Sequence, residues 1–138
     1  MRFAASVTID APAERVWEIY SDVERWPEWT GTVTSVERLD PGQLRIGART
    51  RIRQPRLPTA IWTVTEWVPN EYFAWTSTAP GIKTTGGHRL ESTPAGTLVT
   101  ASIDQLGPLG PILGLAYRKL TNRYLSLETQ GLRTRCTT

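Results

Sequence analysis

Histidine occurs once in this 138-residue chain, at His88. A lone imidazole titrates near neutrality, so it is the first candidate for a general acid or base. Tyr117 and Tyr124 stand seven residues apart, two turns of a helix, where both hydroxyls can donate to a ligand carbonyl. Glu128 follows Tyr124 by about one turn and suits an ion pair with an arginine of a facing strand. Glu66 partners His88 only if both face inward at the same depth. Each group has a plain structural alternative. The histidine serves equally as a buried residue hydrogen-bonded to a neighbour, and the tyrosine rings as core filling with hydroxyls that reach water. No catalytic residue is fixed by these patterns; His88, Tyr117 and Tyr124 are the candidates. Cys136, the only cysteine, has no internal disulfide partner, and there is no His–Cys cluster, HExxH, GxSxG or phosphate loop. Neither a metal nor another cofactor is expected.

The second set of informative residues is aromatic. Six tryptophans are many for this length, and the indole pairs a large apolar face with a polar N–H. Trp62, Val64 and Glu66 fall on one face of a strand by its period of two, and Phe73 and Trp75 on one face of another. If Val64 points inward, Trp62 does too. Trp62 and Trp75 then flank a groove whose wall can stack planar rings; plain core packing is the alternative. His88 shares parity with Leu90, so an inward Leu90 brings the imidazole inward. Gly86-Gly87 before it marks a bulge or a close approach. Arg49, Arg51 and Arg53 alternate with Ala48, Thr50 and Ile52, which puts the arginines in solvent.

The elements that carry these residues read as follows. Residues 2–9 alternate Phe3, Ala5, Val7 and Ile9, a half-buried strand. Asp10 caps a short helix with Pro12 in its first turn, and Ser21-Asp22 starts a second helical turn that Pro27 interrupts. Strand-like runs follow over 32–39, 47–54, 59–67, 72–78, 82–93 and 97–105, separated by Pro, Gly and Asn turns. From Pro111 to Leu132 the chain reads as one helix. Leu113, Tyr117, Leu120, Tyr124, Leu127 and Gly131 form its apolar stripe. One α+β domain over 1–138 is expected: a curved antiparallel sheet of about seven strands gripping a long C-terminal helix. The two short helices close one end. Such a sheet leaves a gap beneath the helix.

Composition limits the partners. Hydrophobic residues make up 39% and charged residues 21%, with a net charge of +3. The basic residues are scattered, without the dense stripe that nucleic acid requires, so no nucleic-acid partner is expected. The first ten residues lack the apolar core of a signal peptide, and no apolar run reaches a membrane span. A cytoplasmic protein, monomer or homodimer, is the expectation.

The stretches IDAPAERVWEIYSDVERWPEW, GARTRIRQPRLPTAIWTVTEWVPNEYFAW and GHRLESTPAGTLVT resemble the START-like, helix-grip (Bet v 1-like) superfamily in its polyketide cyclase/dehydrase and lipid-transport branch. The resemblance runs over essentially the whole chain and implies a hydrophobic cavity between sheet and helix. The fold hosts carriers, receptors and cyclases, so it implies no single reaction. Cyclases of this superfamily use a cavity arginine and tyrosine to polarise a carbonyl, a pair without a motif match here. Three functional readings follow. The first is a binding protein for a lipid-like or aromatic small molecule, contacted by Trp29, Trp62, Val64, Phe73, Trp75, His88, Leu90, Leu113, Tyr117, Leu120 and Tyr124. The second is a polyketide cyclase or dehydratase in the same cavity, working by positioning and one weak acid or base. The third is an interaction module whose cavity is filled by its own side chains.

Overall fold

The computed structural model covers residues 1–138. In chain order it has β1 (Arg2–Ile9), α1 (Ala13–Tyr20), a 3-10 helix (Val23–Glu28), β2 (Ser35–Arg38), β3 (Arg49–Arg53), β4 (Ala60–Val68), β5 (Tyr72–Ala79), β6 (Ile82–Thr93), β7 (Gly96–Leu106), α2 (Gly110–Ala116) and α3 (Arg118–Cys136). All seven strands pair antiparallel in the order β1-β7-β6-β5-β4-β3-β2. Each strand from β2 onward lies beside its chain neighbour, and β1 joins the far side of β7. β1 and β2 are therefore opposite edges, and α1 with the 3-10 helix carries the chain between them. This is the expected helix-grip arrangement. α3 packs on β1, β7 and α1.

The alternation read in β1 is the alternation observed: Phe3, Val7 and Ile9 are buried. In β3 it also holds, with Thr50 and Ile52 inside and the arginines outside, where Arg49 pairs with Asp40 at 3.1 Å and Arg51 with Glu37. Exposed pairs of this kind contribute on the order of 0–1 kcal/mol; the buried residues opposite them dominate. Val16, Trp17 and Tyr20 turn one face of α1 into the same core as Val64, Phe73, Val99 and Leu132.

Four local expectations are corrected. Asp10 is not the cap of α1: Pro12 occupies that position, its carbonyl accepting from Arg15 and Val16 at 3.0 and 3.1 Å. The C-terminal helix is two helices that meet at Tyr117, whose ψ of 11° lies outside the helical range. That break resets the phase of the stripe. In α3 the buried residues are Leu125, Thr129, Leu132 and Cys136, about one position round from the expected set, while Leu127 is 41% and Tyr117 37% exposed. Cys136 belongs to the last turn of α3 and the core, and burial pushes its thiol up to about 11.

The fourth correction concerns β4. A bulge between Val64 and Glu66 shifts its register against β5, so Val64 opposes Trp75 but Trp67 opposes Phe73. The extra residue reverses the alternation. Glu66 turns to solvent and Trp67 packs inward edge-on to Trp17 at 5.0 Å. Glu66 thus has no access to His88.

Candidate functional site

The aromatic residues of β4 and β5, of α1 and of the 3-10 helix meet in one cluster beneath α3. Centroid separations link Trp17 to Phe73 (5.7 Å), Tyr20 to Trp26 (5.6 Å), Trp26 to Trp29 (5.5 Å), Trp26 to Trp75 (5.4 Å) and Trp62 to Trp75 (6.0 Å). With Trp67 on Trp17, all six tryptophans belong to it. Trp26 is fixed by its indole N–H, which donates to the Tyr20 carbonyl at 2.9 Å. The glycines before His88 make this packing possible. A Cβ on Gly86 would lie 3.0 Å from Trp75 Nε1, and one on Gly87 2.6 Å from Ser102 Oγ. The close approach expected of Gly86-Gly87 is therefore made by side chains, with the β5–β6 register unbroken.

His88 lies at the centre, 4% exposed, its ring stacked on Phe73 at 4.1 Å and edge-on to Tyr20 and Trp75. Nδ1 is 3.0 Å from the Phe73 carbonyl, an acceptor, so the bond fixes the proton on Nδ1. Nε2, left as a lone pair, has no protein partner. Burial pulls the imidazole down from its ordinary 6.5 to about 4, only partly offset by the Phe73 carbonyl. At neutral pH His88 is an uncharged hydrogen-bond acceptor.

From the opposite side α3 contributes Glu128. It does not pair with an arginine; its Oε2 accepts from Tyr20 Oη at 2.5 Å. Burial raises this carboxyl from 4.5 to about 7, while the Tyr20 hydroxyl opposes the rise. The same burial, reinforced by the Glu128 charge, holds the Tyr20 phenol well above its ordinary range. Near neutrality Glu128 is divided between carboxylate and carboxylic acid, and as the acid it can donate.

Between these groups is a cavity of about 50 Å³. Trp26, Trp62, Trp75, His88, Ile52, Val33, Gln54, Ala101, Leu125 and Glu128 are among its lining residues. That volume holds on the order of one to three waters, whereas sites for drug-sized molecules measure roughly 300–1,000 Å³. A ring system enters only if the walls move. The loop between β3 and β4 begins at Gln54, which lines the cavity, and Tyr124 of α3 ties it down by donating its hydroxyl to the Pro55 carbonyl. The loop has little else: Leu57 N to Gln54 O, at 3.3 Å, is its one internal backbone bond. Tyr124→Phe is expected to cost about 0.5–1.5 kcal/mol and to speed amide exchange across residues 54–59. Exchange unchanged from the parent protein would show that the hydroxyl holds nothing closed.

The expected site residues thus separate. Trp62, Trp75 and His88 line the cavity. Val64, Phe73 and Leu90 are buried in the core around it. Trp29 is half-buried against Trp26 and Tyr20, at a surface recess with Arg15, Arg25 and Arg135. Tyr124 is a tether at the edge. Leu113 and Leu120 are half-buried and Tyr117 is exposed on or between α2 and α3, none lining the cavity. Tyr117, Tyr124 and His88 do not converge. Tyr20 was missed because its motif reads as a plain amphipathic helix. Nowhere do three His, Cys, Asp or Glu side chains gather at metal-binding range.

A family model described as polyketide cyclase / dehydrase and lipid transport matches residues 1–137. No curated protein sequence matches significantly. Among solved structures, the protein TTHA0849 from Thermus thermophilus superposes with a TM-score of 0.78 at 21% identity, covering 99% of this chain and 97% of that one. A START superfamily protein from Mycobacterium smegmatis gives 0.75 at 19% identity, covering 99% and 97%. The ZhuI aromatase/cyclase from Streptomyces sp. R1128 gives 0.73 at 20% identity, covering 99% and 93%. At these identities the solved structures establish the fold, and the family model spans nearly every residue: the chain belongs to the polyketide cyclase / dehydrase and lipid transport family.

Proposed function

We propose that this protein holds a hydrophobic or aromatic small molecule bearing a hydroxyl or carbonyl group, in an enlarged form of the cavity beneath α3, without transforming it. The observation that carries this reading is the pairing of an aromatic wall, Trp26, Trp62 and Trp75, with two inward polar groups that the protein leaves unused, His88 Nε2 and Glu128 Oε1. Both residues line the cavity and no other side chain pairs with either atom, so a hydroxyl or carbonyl group of a bound molecule can serve as their partner. The small closed volume is the feature that favours the filled-core alternative. Its prediction is a protein that never takes up a ligand.

A cyclase or dehydratase is the second reading, favoured by one observation: a neutral imidazole acceptor and a carboxyl near 7 line one cavity. That is an acceptor and a donor poised for proton transfer near neutrality. The first test is native mass spectrometry of protein purified from its own host, followed by identification of any compound released on denaturation. A stoichiometric apolar compound supports the proposal. If none is found, a panel of polycyclic phenols and ketones and of fatty acids is titrated while tryptophan fluorescence is followed. Absence of binding throughout that panel would leave the filled core as the answer. Between carrier and enzyme, Glu128→Gln decides. A carrier keeps its affinity within about threefold, whereas an enzyme using Glu128 loses turnover by roughly 100-fold or more.

A further inference from the structure

The geometry points to a membrane-docking surface at one end of the molecule, built to rest on an anionic lipid bilayer. The antiparallel order places the β3–β4 loop, the β5–β6 turn and the β7–α2 junction together at that end. Leu109 ties two of them, its N–H donating to the Gly81 carbonyl at 2.9 Å and its side chain lying where a Cβ on Gly81 would sit. α2 turns its glycines inward: Gly110 approaches the Gln105 carbonyl, and Gly114 approaches Met1 and Gln105. Its apolar side chains face water instead. Ile112 and Leu115 are each 63% exposed, with Leu109 at 39% beside them. The three recur at steps of three, forming one protruding aliphatic edge.

Charge is the independent observation. Segments 53–61, 79–83 and 105–123 carry Arg53, Arg56, Lys83, Arg118, Lys119 and Arg123 and contain no Asp or Glu. Both lysines of the chain are among them. The nearest acidic residue on β7, Asp104, is paired with Arg2 at 2.6 Å. The acidic residues collect elsewhere, as in 10–28, where Asp10, Glu14, Glu18, Asp22, Glu24 and Glu28 outnumber two arginines. Aliphatic tips at an end whose segments carry Lys and Arg and no acidic residue match the interface of an anionic bilayer: Leu and Ile enter the acyl boundary and the cations meet headgroups. A protein partner of ordinary composition would favour aromatic anchors and exclude lysine. The tethered β3–β4 loop belongs to this end, so docking brings it to the lipid. The docking does not depend on what the cavity holds.

The test is flotation with two vesicle preparations, pure phosphatidylcholine and equal parts phosphatidylcholine and phosphatidylglycerol, at low and at physiological salt. Binding is expected to the anionic vesicles only, weakening as salt rises. Lys83→Glu with Lys119→Glu is expected to lower the partition coefficient tenfold or more, as is Ile112→Ser with Leu115→Ser; Arg45→Glu, at the other end, is expected to leave it unchanged. All five side chains are exposed, and circular dichroism checks that each variant is folded. A parent protein that stays in solution with anionic vesicles overturns the proposal. So does binding that both double variants retain. A salt-resistant dimer abolished by Ile112→Ser with Leu115→Ser, without vesicle binding, would assign the edge to a second copy of this chain and equally overturn it.

Discussion

Glu128→Gln is expected to yield a protein whose stability climbs with pH between about 4 and 6.5, and His88→Gln one whose stability declines between about 4.5 and 7. The signs follow from which state binds more protons. For His88 the folded value lies below the unfolded one. The unfolded chain binds the extra proton between about 4 and 6.5, so acidification through that window removes stability. For Glu128 the folded value lies above the unfolded one. The folded chain holds the extra proton between 4.5 and about 7, so stability present in acid is lost as pH rises. In the parent protein the two slopes oppose each other over most of the same range. Each substitution unmasks the other slope, worth on the order of 3 kcal/mol across its window. Urea midpoints measured at half-unit steps of pH for the three proteins read this out. Profiles of identical shape would mean that neither group is held in its buried neutral form.

The second large effect is expected at Gly131. Helix propensity alone makes Gly→Ala in α3 favourable by about 1 kcal/mol. Here a Cβ would lie 2.2 Å from the Trp29 carbonyl oxygen and 3.3 Å from Trp29 Cε3. The first of these is backbone and cannot swing aside, so α3 must retreat from the turn that carries Trp29. Trp29 packs on Trp26 and Tyr20, and Tyr20 bonds Glu128 one turn from Gly131, so the displacement loosens the whole site. We expect Gly131→Ala to destabilise by roughly 2–4 kcal/mol, and Gly31→Ala, where nothing lies within 4 Å of the added carbon, to be nearly neutral. Denaturant unfolding of both variants checks this. A more stable Gly131→Ala protein would show that α3 is free to shift.

These two cases mark what could and could not be read from the residues. Strand periodicity is local, and it placed His88 beside Leu90 on the inner face and the arginines of β3 outside. The fold followed from the order of elements and from the motifs carried along the chain. The partners did not. That Tyr20 meets Glu128, 108 residues away, depends on how α3 is rotated about its axis. Its apolar residues specify that rotation weakly, because the buried positions from Leu125 to Leu132 include Thr129, and the half-buried Glu128 lies beside it. A single residue of phase moved the expected contacts from Glu128 to Leu127. The bulge in β4 had a similar effect: Thr65 carries no signature of its own, yet it exchanges Glu66 for Trp67 at the inner face.

The pairing of β1 with β7 has a consequence for how the chain acquires this structure. Arg2 to Ile9 align with Asp104 to Thr97, so the first strand in the chain hydrogen-bonds to the last. The meander from β2 to β7 can zip up between sequence neighbours, each step closing a short loop. β1 must then wait for nearly the whole chain, and α3, which rests on both β1 and β7, comes later still. Phe3, Val7 and Ile9 remain uncovered through that interval, an apolar strand without a ladder. Closing that long loop is the entropically dearest step, and it is the natural bottleneck for folding and the stage at which two nascent chains can mispair.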